Sequence, residues 1–562
     1  MSNQQKPSKN NQFTLTTNFL RPNENSNTTN INYGAMSETN FDKVVTTRDQ
    51  EQREKLISKA KEGLVETTTE PDGSKRVPPP IKDGRYTKSL IFATLSIVFG
   101  SSFQFGFHIG ATNIPGDHIQ KWLNETHANL TGRPGEPIEL STSKLLMGAV
   151  AGCFALGGMI GGVSVGTVSD KFGRRKPLLF NNFVAAIAAV LLIFSTMPGT
   201  YYFLLYLGRF IIGINSGLNS GLAPMYLMEL SPANLRGSLG SFPQLFVTIA
   251  ILCSQLIGLP GVLGDADKWN YIFAFTFVPV IAQLCTLPFC PESPKYNLIV
   301  QGLKEEAEND LKKLRGDDDV RGEMEQMDAE SIAIHSQPLV RWGNMFRAPL
   351  VWPLVLAMFM MVSQQLSGIN AVMFYSSDIF KSAGLDKMWQ NIATCIMGAV
   401  NVSMTVVSVY MVERSGRRTL HLVGLLGTCV TTALLAASMY ISEMDNMKWF
   451  AYMSILFVQL FVIAFATGPG SIPWFYVSEL FPSNARGNAN SLAVLTNWST
   501  NMLVVVLFPF LNEALGKNVF FLFTLLLIMF ILFAFKFLPE TKNKTLEEVQ
   551  VEMDRLRGKK RA

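Results

Sequence analysis

The sequence predicts an all-α membrane protein with twelve transmembrane helices in two related six-helix bundles. Only 16% of its 562 residues are charged, whereas about 25% is typical of soluble proteins. The mean hydropathy of +0.21 understates the apolar character, because the first 88 residues are rich in Asn, Thr, Gln and Lys. A net charge of +5 over so long a chain is too small to indicate binding of nucleic acid.

Stretches without Asp, Glu, Lys or Arg mark the membrane crossings, because a helix needs about 20 apolar residues to cross the hydrocarbon and a charge at its centre is costly. We number the crossings as spans 1 to 12. Spans 1, 2 and 5 to 12 are predicted at residues 89–116, 145–169, 237–264, 269–291, 348–377, 389–412, 419–442, 449–478, 487–512 and 518–535. Spans 3 and 4 share residues 177–228, a stretch that Arg209 interrupts and that a turn at 197–200 divides.

The arginines of the short connections predict the orientation, since basic residues stay on the cytoplasmic side. Seven of them lie in alternate connections that share one side, while the connections of the other side hold only Arg133. The seven are Arg174, Arg175, Arg236, Arg414, Arg417, Arg418 and Arg486. Both termini are therefore expected in the cytoplasm, and two glycosylation sequons, at Asn124 and Asn129, fall in the first outward loop.

Composition predicts five segments. Residues 1–85 have few large apolar side chains and are expected to form a disordered cytoplasmic tail. Residues 86–294 and 348–537 form the two bundles, residues 295–347 a cytoplasmic domain of short charged helices, and residues 538–562 a cytoplasmic C-terminal tail. We expect no secretory signal peptide before span 1, so span 1 would be the targeting signal.

The sequence predicts no enzyme, cofactor or structural metal. All six cysteines lie within or at the ends of the predicted spans, so we expect no outward-facing disulfide. CxxC pairs and His clusters are absent from the sequence. A Walker loop, or a nucleophile with its base, is also missing.

Three motifs recur once in each half of the chain, each after the equivalent span. The pairs are DKFGRR at 170–175 with ERSGRR at 413–418, ELSPANLRG at 229–237 with ELFPSNARG at 479–487, and PESP at 291–294 with PET at 539–541. Their offsets of 243, 250 and 248 residues indicate a tandem repeat of six spans. Two parallel repeats place a binding site at their interface near the membrane midplane.

The recurring motifs bring carboxylates and arginines together at the cytoplasmic helix ends. We expect ion pairs across the two bundles, which would close the cytoplasmic side when the site opens outward. The alternative is that the arginines only anchor helices to lipid headgroups. The predicted network consists of Asp170, Arg174, Arg175, Glu229, Arg236, Glu292, Glu413, Arg417, Arg418, Glu479 and Arg486.

Further motifs carry a resemblance to a known family. They are GRFIIG at 208–213, PMY at 224–226, PFCPESP at 288–294, QQLSGINA at 364–371, GPGSIPW at 468–474 and PETK at 539–542. In these residues the chain resembles the sugar porter family of the major facilitator superfamily, and more closely its facilitative glucose transporters. The resemblance covers roughly residues 86–550 and implies hexose transport by rocking of the two bundles.

A neutral hexose requires uncharged hydrogen-bonding groups and an aromatic ring that packs against its C–H face. Inside the predicted spans the ionisable residues are almost confined to His108 and Arg209. The resemblance implies sugar contacts at Gln244, Ile251, Gln364, Gln365, Ile369, Asn370, Asn401, Phe465, Trp474 and Asn497. Membrane amides also serve as interhelical contacts worth about 0.6–2 kcal/mol each. That is the alternative for these amides, and for Asn181, Asn182, Asn215 and Asn219.

Two spans are predicted to be interrupted. Glycine and proline disfavour a continuous helix, and they cluster in span 10 before Trp474, while residues 367–368 break span 7. The resemblance places an outer gate on the far half of span 7, where plain packing is the alternative. The predicted gating residues are Gly468, Pro469 and Pro473 in span 10 and Phe374 and Tyr375 in span 7.

The residue at position 108 bears on whether transport is coupled to protons. The resemblance implies that proton-coupled relatives carry an Asp in span 1 where this chain has His108, facing Arg209 of span 4. Without that carboxylate we expect uniport, with proton symport as the alternative and a pH effect of His108 left open. A non-transporting sugar sensor is a further alternative, because the tail is long and rich in Asn and Thr.

Glucose is the expected substrate, with galactose, mannose and fructose as alternatives. Residues 361–363 read Met-Val-Ser where many glucose facilitators have Gln-Leu-Ser, and Ala466 and Ser471 replace a glutamate and a proline of the family pattern. Trp474 argues against a dedicated fructose carrier. We expect a multi-pass protein of the plasma membrane, in contact with lipid and without a nucleic-acid partner.

Overall fold

The computed structural model describes residues 82–199, 202–336, 340, 342–382, 384–442, 444, 449–542 and 544–558. All regular secondary structure in these residues is helical, which confirms the predicted all-α class. Most of the predicted N-terminal tail, residues 1–81, lies outside the described residues.

The first half of the chain contains six long helices at the predicted crossings. Spans 1 to 6 are the helices Lys88–Gly110, Leu140–Phe172, Arg175–Ile193, Phe203–Leu230, Arg236–Ile257 and Trp269–Phe289. Span 1 includes a π turn at Val98–Ser102, and span 6 begins with the 3-10 segment Trp269–Thr276. Several of these helices continue past the predicted charge-free stretches into the flanking charged residues.

The second half repeats this arrangement with two interrupted helices. Span 7 consists of Val351–Gln365 and Ile369–Ser382, and span 10 of Phe450–Thr467 and Ile472–Leu480. Spans 8, 9, 11 and 12 are the helices Lys387–Ser415, Arg417–Ile441, Ser483–Leu515 and Val519–Phe537. Ten segments of the described residues are long and apolar enough to cross a membrane, and one of them, Asn484–Phe537, holds spans 11 and 12. With span 4, the described chain has twelve membrane helices in two six-helix halves.

Both interruptions occur where the sequence predicts them. In span 7, Gly368 separates the two helices with a φ of +93°, a conformation that favours glycine. In span 10, the break covers residues 468–471. Pro473 lies four residues after Pro469 and has no N–H, so it cannot donate the helical hydrogen bond to the Pro469 carbonyl.

The connection after span 1 was predicted as a loop, but it contains the helix Gly116–Leu130. Ile119, Leu123 and Ala128 are its buried residues, so one apolar face packs against the protein and stabilises the helix. Both predicted glycosylation sequons lie on this helix. Asn129 is exposed, whereas Asn124 is half-buried and its Oδ1 accepts a hydrogen bond from Ser143 Oγ at 2.9 Å.

Spans 2 and 4 approach each other closely because glycines face each other across their contact. A Cβ on Gly157 would lie 2.1 Å from the Phe210 carbonyl oxygen, and one on Gly161 would lie 2.2 Å from the Ile214 carbonyl oxygen. On span 4, a Cβ on Gly217 would lie 2.2 Å from the Gly158 carbonyl oxygen. Glycines spaced four apart allow this contact between membrane helices, and it fixes the first half around spans 2 and 4.

Short helices lie outside the membrane spans. Lys304–Arg315, Arg321–Ser336 and Trp342–Met345 follow span 6, and Leu546–Leu556 follows span 12. The first two share a small apolar cluster of Leu298, Ala307, Leu311, Val320, Met324 and Met327. Arg315 pairs with Glu323 at 2.8 Å and donates to the Leu230 carbonyl at 2.9 Å, which joins these helices to the end of span 4.

Substitution of Gly161 by valine should destabilise the first half. The added side chain would meet the Ile214 backbone, and overpacking of this kind costs about 1–3 kcal/mol or more. Thermal unfolding of the detergent-purified protein measures the loss. Gly148→Val in the same helix is the control, because a Cβ at Gly148 meets no heavy atom within 4 Å. Equal melting temperatures for the two variants would contradict the close-contact interpretation.

Candidate functional site

A cavity lies between the two halves of the membrane region. It holds about 580 Å³ of space free of protein atoms, part of it open to solvent. Spans 1 and 5 of the first half line it, together with spans 7, 8, 10 and 11 of the second half. A ligand in this cavity would contact both halves at once.

All ten residues to which the resemblance assigned sugar contact line this cavity. Six other lining residues were missed: Phe105, Ile109, Val247, Met373, Trp498 and Asn501. Helical periodicity could have identified three of them, since residues three or four apart share a helix face. Val247 follows Gln244 by three residues, and Met373 and Asn501 follow Ile369 and Asn497 by four.

Amides of spans 7 and 11 hydrogen-bond to one another beside the cavity. Gln365 Nε2 donates to Asn497 Oδ1 at 3.0 Å. Gln365 Oε1 accepts from Asn370 Nδ2, and from Asn501 Nδ2 at 3.4 Å. Buried polar groups need partners, and each of these four amides has at least one hydrogen-bond partner among the other three.

Gln364 joins span 7 to the interruption of span 10. Its Nε2 donates to the Pro469 carbonyl at 2.8 Å and to the Gly470 carbonyl at 2.9 Å. Two other lining amides are Gln244 of span 5 and Asn401 of span 8, and unlike Gln364 their side chains are not engaged by other described residues. No hydrogen bond from a described residue reaches the side chain of either one, so both present unused donors and acceptors.

Two indoles line the cavity in different ways. The Trp498 Nε1 donates to Ser220 Oγ of span 4 at 3.2 Å, and its ring centroid lies 5.3 Å from those of both Phe105 and Phe154. Trp498 is therefore held by the first half although it belongs to span 11. Trp474 is only partly buried and follows the interruption of span 10, so its position depends on that segment.

No charged side chain lines the described cavity. His108 and Arg209 are fully buried within the first half. Arg209 donates to the His108 and Val150 backbone carbonyls at 3.0 and 3.3 Å, and its guanidinium lies 4.3 Å from the Phe154 ring centroid. The His108 Nε2 lies 3.0 Å from Thr276 Oγ1. Among the described residues, no carboxylate forms an ion pair with Arg209.

The asparagines of spans 3 and 4 join helices inside the first half. Asn181 Nδ2 donates to the Asn215 carbonyl at 2.9 Å and to Asn219 Oδ1 at 2.8 Å. Asn182 Nδ2 donates to Gln283 Oε1 of span 6 at 2.7 Å. None of the four asparagines lines the cavity, which supports the interhelical interpretation for them.

The arginine face is the end of the spans that carries Arg174, Arg175, Arg417 and Arg418. Arg174 Nε lies 2.8 Å from Glu229 Oε2 in the first half, and Arg417 Nη2 lies 3.1 Å from Glu479 Oε1 in the second. Burial alone would lower the pKa of Arg174, but the carboxylates of Glu229, Asp170 and Glu292 together outweigh this and raise the pKa above its ordinary value.

These ion pairs correct the expectation of pairing across the bundles, because each pair lies within one half. Spans 2 and 4 pack closely, so Arg174 after span 2 meets Glu229 at the end of span 4. The acids of the third repeated motif also stay within their halves. Glu292 accepts the backbone N–H of Arg174 at 3.0 Å and of Arg175, and Glu540 accepts those of Arg417 and Arg418 at 2.8 and 3.1 Å.

Other contacts cross between the halves at the arginine face. Glu413 Oε1 accepts from the Ser238 N–H at 2.8 Å, and the Gly166 N–H donates to Ser491 Oγ at 2.9 Å. A Cβ on Gly487 would lie 3.6 Å from Asp170 Oδ2, so the Asp170 carboxylate also reaches this boundary. Two other members of the predicted network, Arg236 and Arg486, form no ion pair with a described carboxylate.

At the opposite face, two ion pairs between described residues cross from one half to the other, and no sequence pattern predicts them. Asp117 Oδ2 pairs with Lys387 Nζ, and Lys144 Nζ lies 2.7 Å from Glu513 Oε2. The side chains of Phe374 and Tyr375, the predicted outer gate, lie outside the described residues. Contacts between the halves are thus present at both faces of the cavity.

Two repeated six-helix halves around an uncharged cavity of amides and indoles define a membrane transporter of the major facilitator class. The sequence model of the family described as Sugar (and other) transporter matches residues 93–553. The chain belongs to this family, whose members are transporters and not enzymes. Within the described residues, no group of three His, Cys, Asp or Glu side chains is placed to hold a metal ion.

Named relatives and a solved structure resemble the chain over most of its length. It is 48% identical over 475 residues to facilitated glucose transporter protein 1 of Caenorhabditis elegans, with 84% of this chain and 92% of that protein covered. It is 41% identical over 466 residues to solute carrier family 2, facilitated glucose transporter member 1 of Gallus gallus, with 83% and 93% covered. The structure of the proton:xylose symporter XylE bound to 6-bromo-6-deoxy-D-glucose matches with a TM-score of 0.70 at 25% identity, covering 83% of this chain and 99% of that one.

Charge reversal at Lys387 should shift the balance between closed and open arrangements of the opposite face. Lys387→Glu would place a second carboxylate against Asp117, and exposed pairs of this kind contribute about 0–1 kcal/mol. We therefore expect a change of about two- to fivefold in the ratio of the half-saturating sugar concentrations for entry and exit.

Lys121→Glu is the matched control, since Lys121 pairs with Glu125 inside one helix and should leave this ratio unchanged. The double variant Asp117→Lys with Lys387→Asp should return the ratio toward that of the native protein. A normal ratio in Lys387→Glu would mean that the ion pair has no part in closing this face.

Proposed function

We propose that this protein carries hexoses, D-glucose above all, down their concentration gradient across the plasma membrane by alternating access. The observation that supports this most is the uncharged cavity between the halves, where amides of both halves and an indole meet. The relatives at 48% and 41% identity are named facilitated glucose transporters. Galactose, mannose and fructose share the hydroxyl-rich ring and are secondary candidates.

The same proposal assigns an orientation. The arginine face lies in the cytoplasm, together with both termini and the short helices after span 6, because basic connections stay on that side. The helix Gly116–Leu130 then lies outside the cell. Asn129 is the better glycosylation candidate of the two sequons, because its side chain is exposed and that of Asn124 is engaged by Ser143.

The ten predicted cavity residues form the sugar site. Gln244 and Asn401 come from opposite halves and present unused amides, which match the donor and acceptor pattern of neighbouring hydroxyls. Trp474 and Phe465 offer aromatic surface to the C–H face of the ring. Because the two amides belong to different halves, a bound sugar would couple the movement of one half to the other.

Uniport is favoured over proton symport by the surroundings of Arg209. The structural relative XylE is named a proton:xylose symporter, so symport is the specific alternative. Here the described hydrogen-bond and ring partners of Arg209 are two backbone carbonyls and the Phe154 ring, and His108 stands where proton-coupled relatives carry a carboxylate. Sugar movement therefore needs no proton gradient.

Counterflow in proteoliposomes tests this function. Vesicles preloaded with unlabelled D-glucose should accumulate labelled D-glucose transiently, whereas vesicles preloaded with L-glucose should not. In a second set of vesicles with an imposed inward proton gradient, a protonophore should leave the initial rate of labelled D-glucose uptake unchanged within about twofold. Loss of uptake on adding the protonophore would establish symport instead. Sugar binding without any counterflow would establish the sensor alternative.

Asn401→Ala should weaken sugar binding without preventing folding. Losing one neutral hydrogen bond costs about 0.5–1.5 kcal/mol, so the half-saturating D-glucose concentration should rise about three- to tenfold. Ser403→Ala is the matched control. Ser403 is exposed on the same helix, and its hydroxyl donates to the Ala399 carbonyl of its own span. Equal half-saturation in both variants would remove Asn401 from the sugar site.

A further inference from the structure

The Pro469 carbonyl of span 10 has no helical hydrogen-bond donor. In a continuous helix it would accept from the residue four positions later, but that residue is Pro473, which lacks an N–H. The helix Phe450–Thr467 has already ended, and Ile472–Leu480 has only begun. This carbonyl lies inside the protein, where an unpaired oxygen is unfavourable, so another group has to donate to it.

Gln364 of span 7 supplies that donor. Its Nε2 lies 2.8 Å from the Pro469 oxygen and 2.9 Å from the Gly470 oxygen, so both of its amide hydrogens are used on the interruption of span 10. Its Oε1 accepts from Asn497 Nδ2 at 2.7 Å and from Gln365 Nε2 at 3.4 Å. An amide has two donors and two acceptor lone pairs. All four are occupied, and the residue is 3% exposed.

We propose that Gln364 is a positioning residue that ties span 7 to the interruption of span 10, so that a sugar can engage Gln364 only by replacing one of these bonds. This inference rests on the proposed sugar transport. The family resemblance places Gln364 among the sugar contacts, and the geometry assigns it this second role. Replacement of a carbonyl by a sugar hydroxyl releases the segment that leads to Trp474.

The consequence for transport differs from that of a simple sugar contact. A bond that is exchanged adds little net affinity, whereas a ligand shifts a conformational equilibrium through its different interactions with the two states. Gln244 and Asn401 gain new bonds when sugar enters and therefore contribute to affinity. Gln364 exchanges bonds, so it controls when span 10 moves and hence the maximal rate.

We call the hydrogen bonds from Gln364 Nε2 to the Pro469 and Gly470 carbonyls the tie. A double-mutant cycle between Gln364 and Pro473 tests its role. Gln364→Leu removes the amide, and we expect the maximal rate of D-glucose counterflow to fall about tenfold or more, with less than a threefold change in half-saturation. Pro473→Ala restores an N–H four residues after Pro469. In that background, Gln364→Leu should lower the maximal rate by less than about threefold.

Gln365→Leu is the comparison variant in both backgrounds. Gln365 belongs to the same amide cluster, but its described bonds reach Asn497, Asn370, Asn501 and Gln364 and do not reach span 10. Its effect on transport should therefore be the same in the native background as in the Pro473→Ala background. If Pro473→Ala moderated both leucine variants equally, the specific tie to Gln364 would be refuted.

The melting temperatures of the four proteins of the cycle, measured in detergent without sugar, test the tie separately from transport. Gln364→Leu should lower the melting temperature more in the native background than in the Pro473→Ala background. Additive losses of melting temperature, or a tenfold rise in half-saturation with the maximal rate retained, would overturn the inference. If the native protein shows no counterflow, the proposed function fails, while the melting comparison still decides whether the tie exists.

Discussion

Amides buried between membrane helices must stay hydrogen-bonded whether or not a sugar is present, and this constraint organises the centre of the protein. Span 7 and span 11 satisfy it by bonding Gln365, Asn370, Asn497 and Asn501 to one another. A sugar entering the cavity therefore exchanges some bonds and adds others. In the proposed mechanism, the amides without described partners contribute to affinity, and those already engaged connect the site to the helices that move.

The remainder of the structure joins the helices within each half and the two halves to each other. Glycines allow spans 2 and 4 to meet at backbone distance, and buried arginine–carboxylate pairs hold the helix ends within each half. Contacts across the boundary combine single hydrogen bonds at the arginine face and exposed ion pairs at the opposite face with close packing between them, as where Trp498 of span 11 meets Phe154 of span 2. In the proposed transport cycle, these contacts break and form again as one half moves against the other.

The sequence was informative wherever the relevant property is local. Charge-free stretches locate the spans, repeated motifs reveal the two halves, and the family pattern identifies ten cavity residues. Phe105 and Ile109 were missed because membrane helices carry apolar residues both where they face lipid and where they face a cavity. The residue type alone does not distinguish the two environments. The pairing of Arg174 was misassigned because it depends on how closely spans 2 and 4 approach. Lys144 and Glu513 are 369 residues apart in sequence, and no local pattern predicts their contact.

The most direct measurement of the central claim is an experimental structure of the protein with D-glucose bound. We expect one pyranose in the cavity between the halves, hydrogen-bonded to Gln244 of span 5 and Asn401 of span 8, with its C–H face against Trp474. A sugar that contacts residues of only one half, or that binds outside this cavity, would contradict the account.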